Sequence, residues 1–264
     1  MPPRFFTLAA CAGTLCAALA NLSPAAAAWH EKNYAVDSRP GVKMPFVLAV
    51  GKTDGDAAVK NIAVWLNGGD GGTLPARDGT LNEEKTGFAV RGFLSERIGA
   101  VAMLGVPTGS DGISLEMRES PAHAQDVTAV VDIMKQAYPD ARVFMAGISN
   151  GARSASYAGA KLGNKLAGVI LISSSPEAFQ WTDELKVPVL VVHHKRDSCL
   201  YYRDIEAKAK WFTFVTVEDN SKPRPGNVKD CGPTSAHGFA GKSAPVFQAV
   251  ADWINTGKTV TEIR

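Results

Sequence analysis

The sequence predicts an α/β fold, a mainly parallel sheet covered by helices on both faces. Two observations carry this: apolar runs of strand length alternate with helical patterns along the chain, and several of those runs are almost continuously apolar. A strand covered on both faces must be apolar at every position, whereas a strand with one wet face alternates. Strand followed by helix followed by strand also needs crossover connections, and these make neighbouring strands parallel.

The expected strands are MPFVLAV (44–50), NIAVWLN (61–67), AVAMLGV (100–106), ARVFMAG (141–147), AGVILIS (167–173), VPVLVVHH (187–194) and WFTFVTV (211–217). The first clear helix opens with Ser120 as N-cap and Pro121 in its first turn. It places Val127, Val130, Val131 and Met134 on one face and is stopped by Pro139. Further helices follow in NGARSASYAGAKLG, in YYRDIEAKAK and in APVFQAVADWINTG. The last of these has Phe247, Val250, Ala251 and Ile254 at helical spacing and Gly257 just past its end.

Residues 29–264 contain no internal repeat, linker or charge block and are expected to form a single domain. Residues 1–28 have a positive start at Arg4, an apolar stretch from Phe5 to Leu22 and small residues at Ala26-Ala27-Ala28. They are expected to be a cleaved export signal, which makes the mature protein periplasmic or secreted. With 28 Lys+Arg against 26 Asp+Glu and no basic run, the composition argues against nucleic acid or an anionic membrane as partner. Signal removal leaves Cys199 and Cys231 as the remaining thiols, and in an oxidising compartment a disulfide between them is expected. Two unpaired buried cysteines are the other reading.

In such sheets chemistry gathers at the C-terminal ends of strands. Gly147-Ile148-Ser149-Asn150-Gly151 is a GxSxG sequence at the end of an expected strand and the start of a helix. Side chains larger than hydrogen at 147 and 151 would collide with neighbouring backbone in so sharp a turn. Ser149 is therefore the candidate nucleophile, with a plain N-cap as the competing reading. A serine hydroxyl needs a base, and the base needs an orienting acid. His237, in the loop TSAHGFAG, is the candidate base, while His30 and His123 are expected at the surface. Asp197, in HHKRDSC, is the candidate acid, with Glu177 as its rival. A Cys199–Cys231 bridge would tie the acid's loop to the loop of the base. His193 and His194 point to opposite faces of a strand, so no shared metal ion is expected. The backbone N–H of Asn150 and that of Gly69, in WLNGGDGGT, are the candidate oxyanion donors. That glycine-rich loop has no lysine and no GK[ST] step, which argues against a phosphate cradle.

Over residues 40–258 the chain resembles the α/β-hydrolase superfamily. The resemblance is carried by NGGDGG, GISNG, HHKRD and AHGF in the superfamily's order, and is nearest to small exported bacterial hydrolases. It implies Ser149 as nucleophile, Asp197 as acid, His237 as base, oxyanion donors at Asn150 and near Gly69, and hydrolysis of a small-molecule ester without a cofactor. An amide or peptide hydrolase with the same three residues, or a non-catalytic binding protein on the same fold, are the alternatives. The chain departs from the pattern in having Asn67 where many members have histidine. It also has a short connection from Ser173 to Lys186, where lipases insert a lid, so no large lid insertion is expected. Arg153 and Trp181 are read as a solvated charge and a packing residue.

Overall fold

A computed structural model describes residues 29–51, 59–72, 87–219 and 231–264, and the export signal expected over 1–28 lies outside the described residues. In chain order the elements are β1 (Trp29–Arg39), β2 (Val42–Gly51), β3 (Asn61–Leu66), α1 (Gly87–Ile98), β4 (Gly99–Leu104), α2 (Leu115–Arg118), α3 (Pro121–Ala137), β5 (Arg142–Ile148) and α4 (Asn150–Leu162). They are followed by β6 (Gly168–Ile172), β7 (Val189–His194), α5 (Tyr202–Ala209), β8 (Thr213–Val217), α6 (Ser243–Thr256) and β9 (Glu262–Ile263). The strands form one sheet in the order β1-β2-β4-β3-β5-β6-β7-β8-β9. β2 pairs antiparallel with β1 and β4, and every other neighbouring pair is parallel.

The continuous apolar runs have a direct consequence in packing. Side chains alternate across a strand, so each central strand feeds two cores at once. Ile62, Val64 and Leu66 enter the core beneath α3, α4 and α5, whereas Ala63 and Trp65 enter the core beneath α1 and α6. The same division holds for Val143 and Met145 against Phe144 and Ala146, and for Val189 and Val191 against Leu190 and Val192.

Local signals set the element ends. Ser120 Oγ accepts the His123 N–H at 3.2 Å, which starts α3 as its sequence predicts. Gly257, at φ 74°, ends α6 and returns its N–H to the Trp253 carbonyl. The Pro40-Gly41 turn, with Gly41 at φ 74°, joins β1 to β2. Between β6 and β7 runs only a 3-10 stretch, Pro176–Glu184, so the expectation of no large lid insertion holds.

Four elements were not among those expected from the sequence: β1, α1, α2 and β9. β1, WHEKNYAVDSR, is an edge strand held by its ladder to β2 and has no strongly apolar face to read. α1 contains Gly92, a poor helix former, which is there because a Cβ would meet the Trp29 indole Nε1 at 2.7 Å. The run 211–217 also starts late as a strand, at Thr213, since Trp211 is 80% exposed. Among the described residues no helix is long and apolar enough to cross a membrane.

The two-core arrangement predicts a contrast. Ile170 is fully buried between strands of the centre, and Ile170→Ala is expected to lower unfolding free energy by about 2–5 kcal/mol. Trp211→Ala, at an exposed site, should change it by less than about 0.5 kcal/mol. Urea unfolding of the two variants checks both.

Candidate active site

The turn between β5 and α4 is built by backbone crossing backbone. A Cβ on Gly147 would overlap the carbonyl of Gly151, and a Cβ on Gly151 would overlap the carbonyl of Leu66 in β3. Only hydrogen fits at both positions. The residue between them, Ser149, takes φ 54° and ψ −125°, a backbone region that side chains rarely occupy and that stores on the order of 1–3 kcal/mol. Its hydroxyl makes no capping bond to α4, so the N-cap reading does not describe this serine. The Ser149 N–H instead extends the sheet by donating to the Ile172 carbonyl of β6 at 2.9 Å.

Asp197 follows β7 and is nearly fully buried. Its Oδ1 accepts the backbone N–H groups of Cys199 and Leu200, at 2.9 and 3.0 Å, and its Oδ2 lies 2.8 Å from Nδ1 of His237. With Nδ1–H donated to the carboxylate, Nε2 of His237 carries the free lone pair. That atom is buried and has no hydrogen-bond partner among the described residues. Glu177, the rival acid, is exposed in the Pro176–Glu184 stretch and does not pair with His237.

His237 sits in a 3-10 turn, Ala236–Gly238, that is pinned from two sides. Ser235 Oγ accepts the His237 N–H, and Ser173, at the end of β6, donates its hydroxyl to the His237 carbonyl at 2.7 Å. Ser149, Ser173 and Phe239 are the non-glycine residues with positive φ among those described, at 54°, 43° and 56°. One is the candidate nucleophile, one holds the histidine, and one follows it by two positions. Backbone strain is concentrated where the site is assembled.

The Cys199–Cys231 disulfide is present and joins the loop of Asp197 to the segment leading to His237. Behind Asp197, Nε2 of His193 donates to the Leu200 carbonyl at 2.8 Å and stands 3.4 Å from Asp197 Oδ2. Burial holds the His193 imidazole below its ordinary range, so it remains neutral near pH 7. His194 faces the other way, taking the Arg196 N–H on its Nδ1.

The glycine-rich loop lies against Ser149. A side chain on Gly68 would meet Ser149 Cβ at 3.0 Å, and Gly69, at φ 58°, has a backbone that glycine adopts freely. The Gly69 carbonyl accepts from Asn150 Nδ2 and from Arg118 Nη2, both at 3.1 Å. The Asn150 backbone N–H lies in the first turn of α4, where the helix itself offers no acceptor and the dipole favours negative charge. Asn67 is buried and donates to the Leu104 carbonyl at 3.2 Å, which anchors this loop to β4. A cavity of about 270 Å³ opens beside the loop, and Ser149 and His237 line it together with the apolar Trp65, Val90, Ile148 and Phe247.

Two expectations need correction or refinement. His123 is fully buried rather than superficial, because α3 turns it inward to share Ser154 Oγ at 3.0 Å. Burial, reinforced by the positive charge of Arg118, lowers its pKa to about 4. Arg153 is paired at 2.8 and 2.9 Å with Glu119 rather than solvated, and Trp181 packs edge-on against Tyr157 as a packing residue should. Sequence reasoning missed Arg118, Ser154, Ser173 and His193. Of these, only the polar run SSS after an apolar strand hints at Ser173.

No protein-family model matches the sequence, and no curated protein matches it either. Solved structures do. Est1E from Butyrivibrio proteoclasticus superposes with a TM-score of 0.60 at 17% identity, covering 84% of this chain and 97% of that one. A Pyrococcus furiosus esterase gives 0.61 at 13% identity, covering 86% and 92%. Dienelactone hydrolase from Anabaena variabilis gives 0.59 at 14%, covering 84% and 98%. The chain has the α/β-hydrolase fold. In this fold the turn after β5 carries Ser149, and the loop after β3 and the 3-10 turn before α6 line the same cavity.

Two predictions follow from this geometry. The folded pKa of His123 lies below its ordinary 6.5, so between pH 6.5 and about 4 the unfolded chain binds a proton that the folded chain does not. Stability supplied by this group is therefore complete above 6.5 and is lost as pH falls to 4, by about 3 kcal/mol in total. Urea titrations at a series of pH values should show this slope flattened in His123→Gln. Removing the disulfide in Cys199→Ser/Cys231→Ser, which frees a loop of sequence separation 32, is expected to lower stability by roughly 3–4 kcal/mol, read from the unfolding midpoint.

Proposed function

We propose that the protein is an exported serine hydrolase that cleaves a carboxylic ester of a small molecule through an acyl-enzyme. The observation that carries this reading is the His237 imidazole. Its Nδ1 is held by Asp197 at 2.8 Å, its Nε2 is left without a hydrogen-bond partner among the described residues, and His237 and the strained Ser149 line the same cavity. Nε2 accepts the Ser149 proton as Oγ attacks the ester carbonyl, and Asp197 stabilises the imidazolium that results. The carbonyl oxygen becomes an oxyanion, which the N–H groups of Asn150 and of Gly69 bind. Losing one such donor typically raises the barrier by about 3–4 kcal/mol. The imidazolium then protonates the departing alcohol, and water repeats the sequence to release the acid. No cofactor takes part in these steps.

The apolar floor of Trp65, Val90, Ile148 and Phe247 favours an ester with an uncharged, apolar group beside the scissile bond. The neighbours named as esterase and dienelactone hydrolase support ester chemistry on this fold. Export to the periplasm or the medium is supported by the Cys199–Cys231 bridge, since a reducing cytosol does not maintain such bonds.

A fluorophosphonate modifies only an activated serine, and it is expected to label Ser149 stoichiometrically in the wild type. Ser149→Ala should keep the fold, lose the label and lose turnover of short-acyl nitrophenyl esters. An esterase rate surviving in that variant, or a folded wild-type protein that takes no label, overturns the assignment. Turnover of peptide anilides in preference to the esters would shift the reading to an amide hydrolase.

A further inference from the structure

We propose that Arg118 is a positioning residue for the oxyanion loop, a buried cation that fixes the Gly68–Asp70 backbone against the helix of the nucleophile. The proposal rests on the hydrolase reading above. Arg118 ends α2, away from the cavity, and none of its surface is exposed. Among the described residues no carboxylate lies within ion-pair distance of it. Its hydrogen bonds go to the Gly69 carbonyl, from Nη2 at 3.1 Å, and to Ser154 Oγ, from Nη1 at 3.0 Å. Nε has no partner. Burial lowers its pKa to about 10, which leaves it charged at neutral pH. The Asp70 carboxylate of the same loop acts on it electrostatically without a direct ion pair, and a dry arginine without a hydrogen-bonded carboxylate is a poor choice for filling space, since an apolar side chain of similar length does so without desolvating a charge.

What the charge holds explains its presence. Gly69 has φ 58° and no atom within 4 Å of where a Cβ would be, so its own packing does little to restrain it. Its carbonyl is instead gripped twice, by Arg118 and by the side chain of Asn150. In a trans peptide the C=O and the following N–H point in opposite directions. Gripping the Gly69 carbonyl therefore fixes the plane of the Gly69–Asp70 peptide, while the Gly68 carbonyl accepts the Gly71 N–H at 2.9 Å and holds the Gly68–Gly69 peptide before it. Ser154 lies on α4 about one and a half turns beyond Ser149, so the same guanidinium ties the loop to the element that carries the proposed nucleophile. Asn150 links the two candidate donors as well, with its side chain on Gly69 and its own backbone N–H at the start of α4. The neutral His123 on Ser154 adds no second charge to this cluster.

Donors held in place before the oxyanion forms act on the transition state more than on substrate binding. The test measures the rate of fluorophosphonate labelling at Ser149, together with kcat and KM on a nitrophenyl ester, for the wild type, Arg118→Met and Arg118→Lys, well below each protein's unfolding midpoint. Labelling is expected to slow at least tenfold in Arg118→Met. In Arg118→Lys, which keeps the charge but cannot reach both acceptors, it should slow about threefold or more. kcat should fall in step while KM changes less than about threefold. Because Arg118 touches neither Asp197 nor His237, the acidic limb of the pH–rate profile should stay in place. A purely structural role would lower the unfolding midpoint and leave labelling within twofold of wild type, and that result in a folded Arg118→Met overturns the proposal. If Arg118→Met does not fold, the same comparison on Arg118→Lys decides, with labelling equal to wild type as the overturning result. A wild-type protein that takes no label overturns the hydrolase reading itself, which is distinguishable from equal labelling across the three proteins.

Discussion

The contact between the backbones of Gly147, Gly151 and Leu66 is the constraint on which the rest of the site depends. Because hydrogen alone separates these chains, α4 can start directly above β5 and against the end of β3. The turn that results forces Ser149 into a strained conformation at the C-terminal end of β5, in the middle of the sheet, where it lines the cavity. It also brings the loop after β3 within contact of the serine, since Gly68 has the Ser149 Cβ for its neighbour. Ser149 and the glycine-rich loop are thus placed together by one steric fact, the close approach of three backbones.

The Asp197–His237 pair is assembled by longer-range ties. Asp197 is oriented by backbone N–H groups of its own loop, which leaves Oδ2 aimed at His237. The histidine's turn is bound to β6 through Ser173 and to the acid's loop through Cys199–Cys231. A turn of three residues has little stability of its own, and each of these ties replaces packing that so short an element cannot supply. The strain at Ser149, Ser173 and Phe239 is sustained because the sheet and the two cores on either side of it over-determine the positions of those residues.

Much of this was legible in sequence because it follows from local rules. Continuous apolar runs had to be strands covered on both faces, Ser120 and Gly257 had to bound helices, and GISNG at a strand end had to form a tight turn. β1 was not legible, since an edge strand is held by its ladder and needs no apolar stripe. α1 was obscured by Gly92, whose presence reflects the indole of Trp29 from a distant part of the chain. His123 read as superficial because it lies on the helix before the GISNG turn, while its actual environment is made by Ser154 of another helix.

By itself the sequence determined the alternation of strand and helix, the order of serine, acid and histidine along the chain, and the need for glycine on either side of the serine. These are properties of residues within one turn or one strand of each other, where sterics and periodicity decide. Only the tertiary structure decided that Asp197 rather than Glu177 meets His237, that Arg118 lies buried beneath the Gly69 carbonyl, and that Ser173 anchors the histidine's turn. Each of those contacts joins residues tens of positions apart, and which polar group ends up opposite which depends on how the sheet and its helices close. No local rule carries that information.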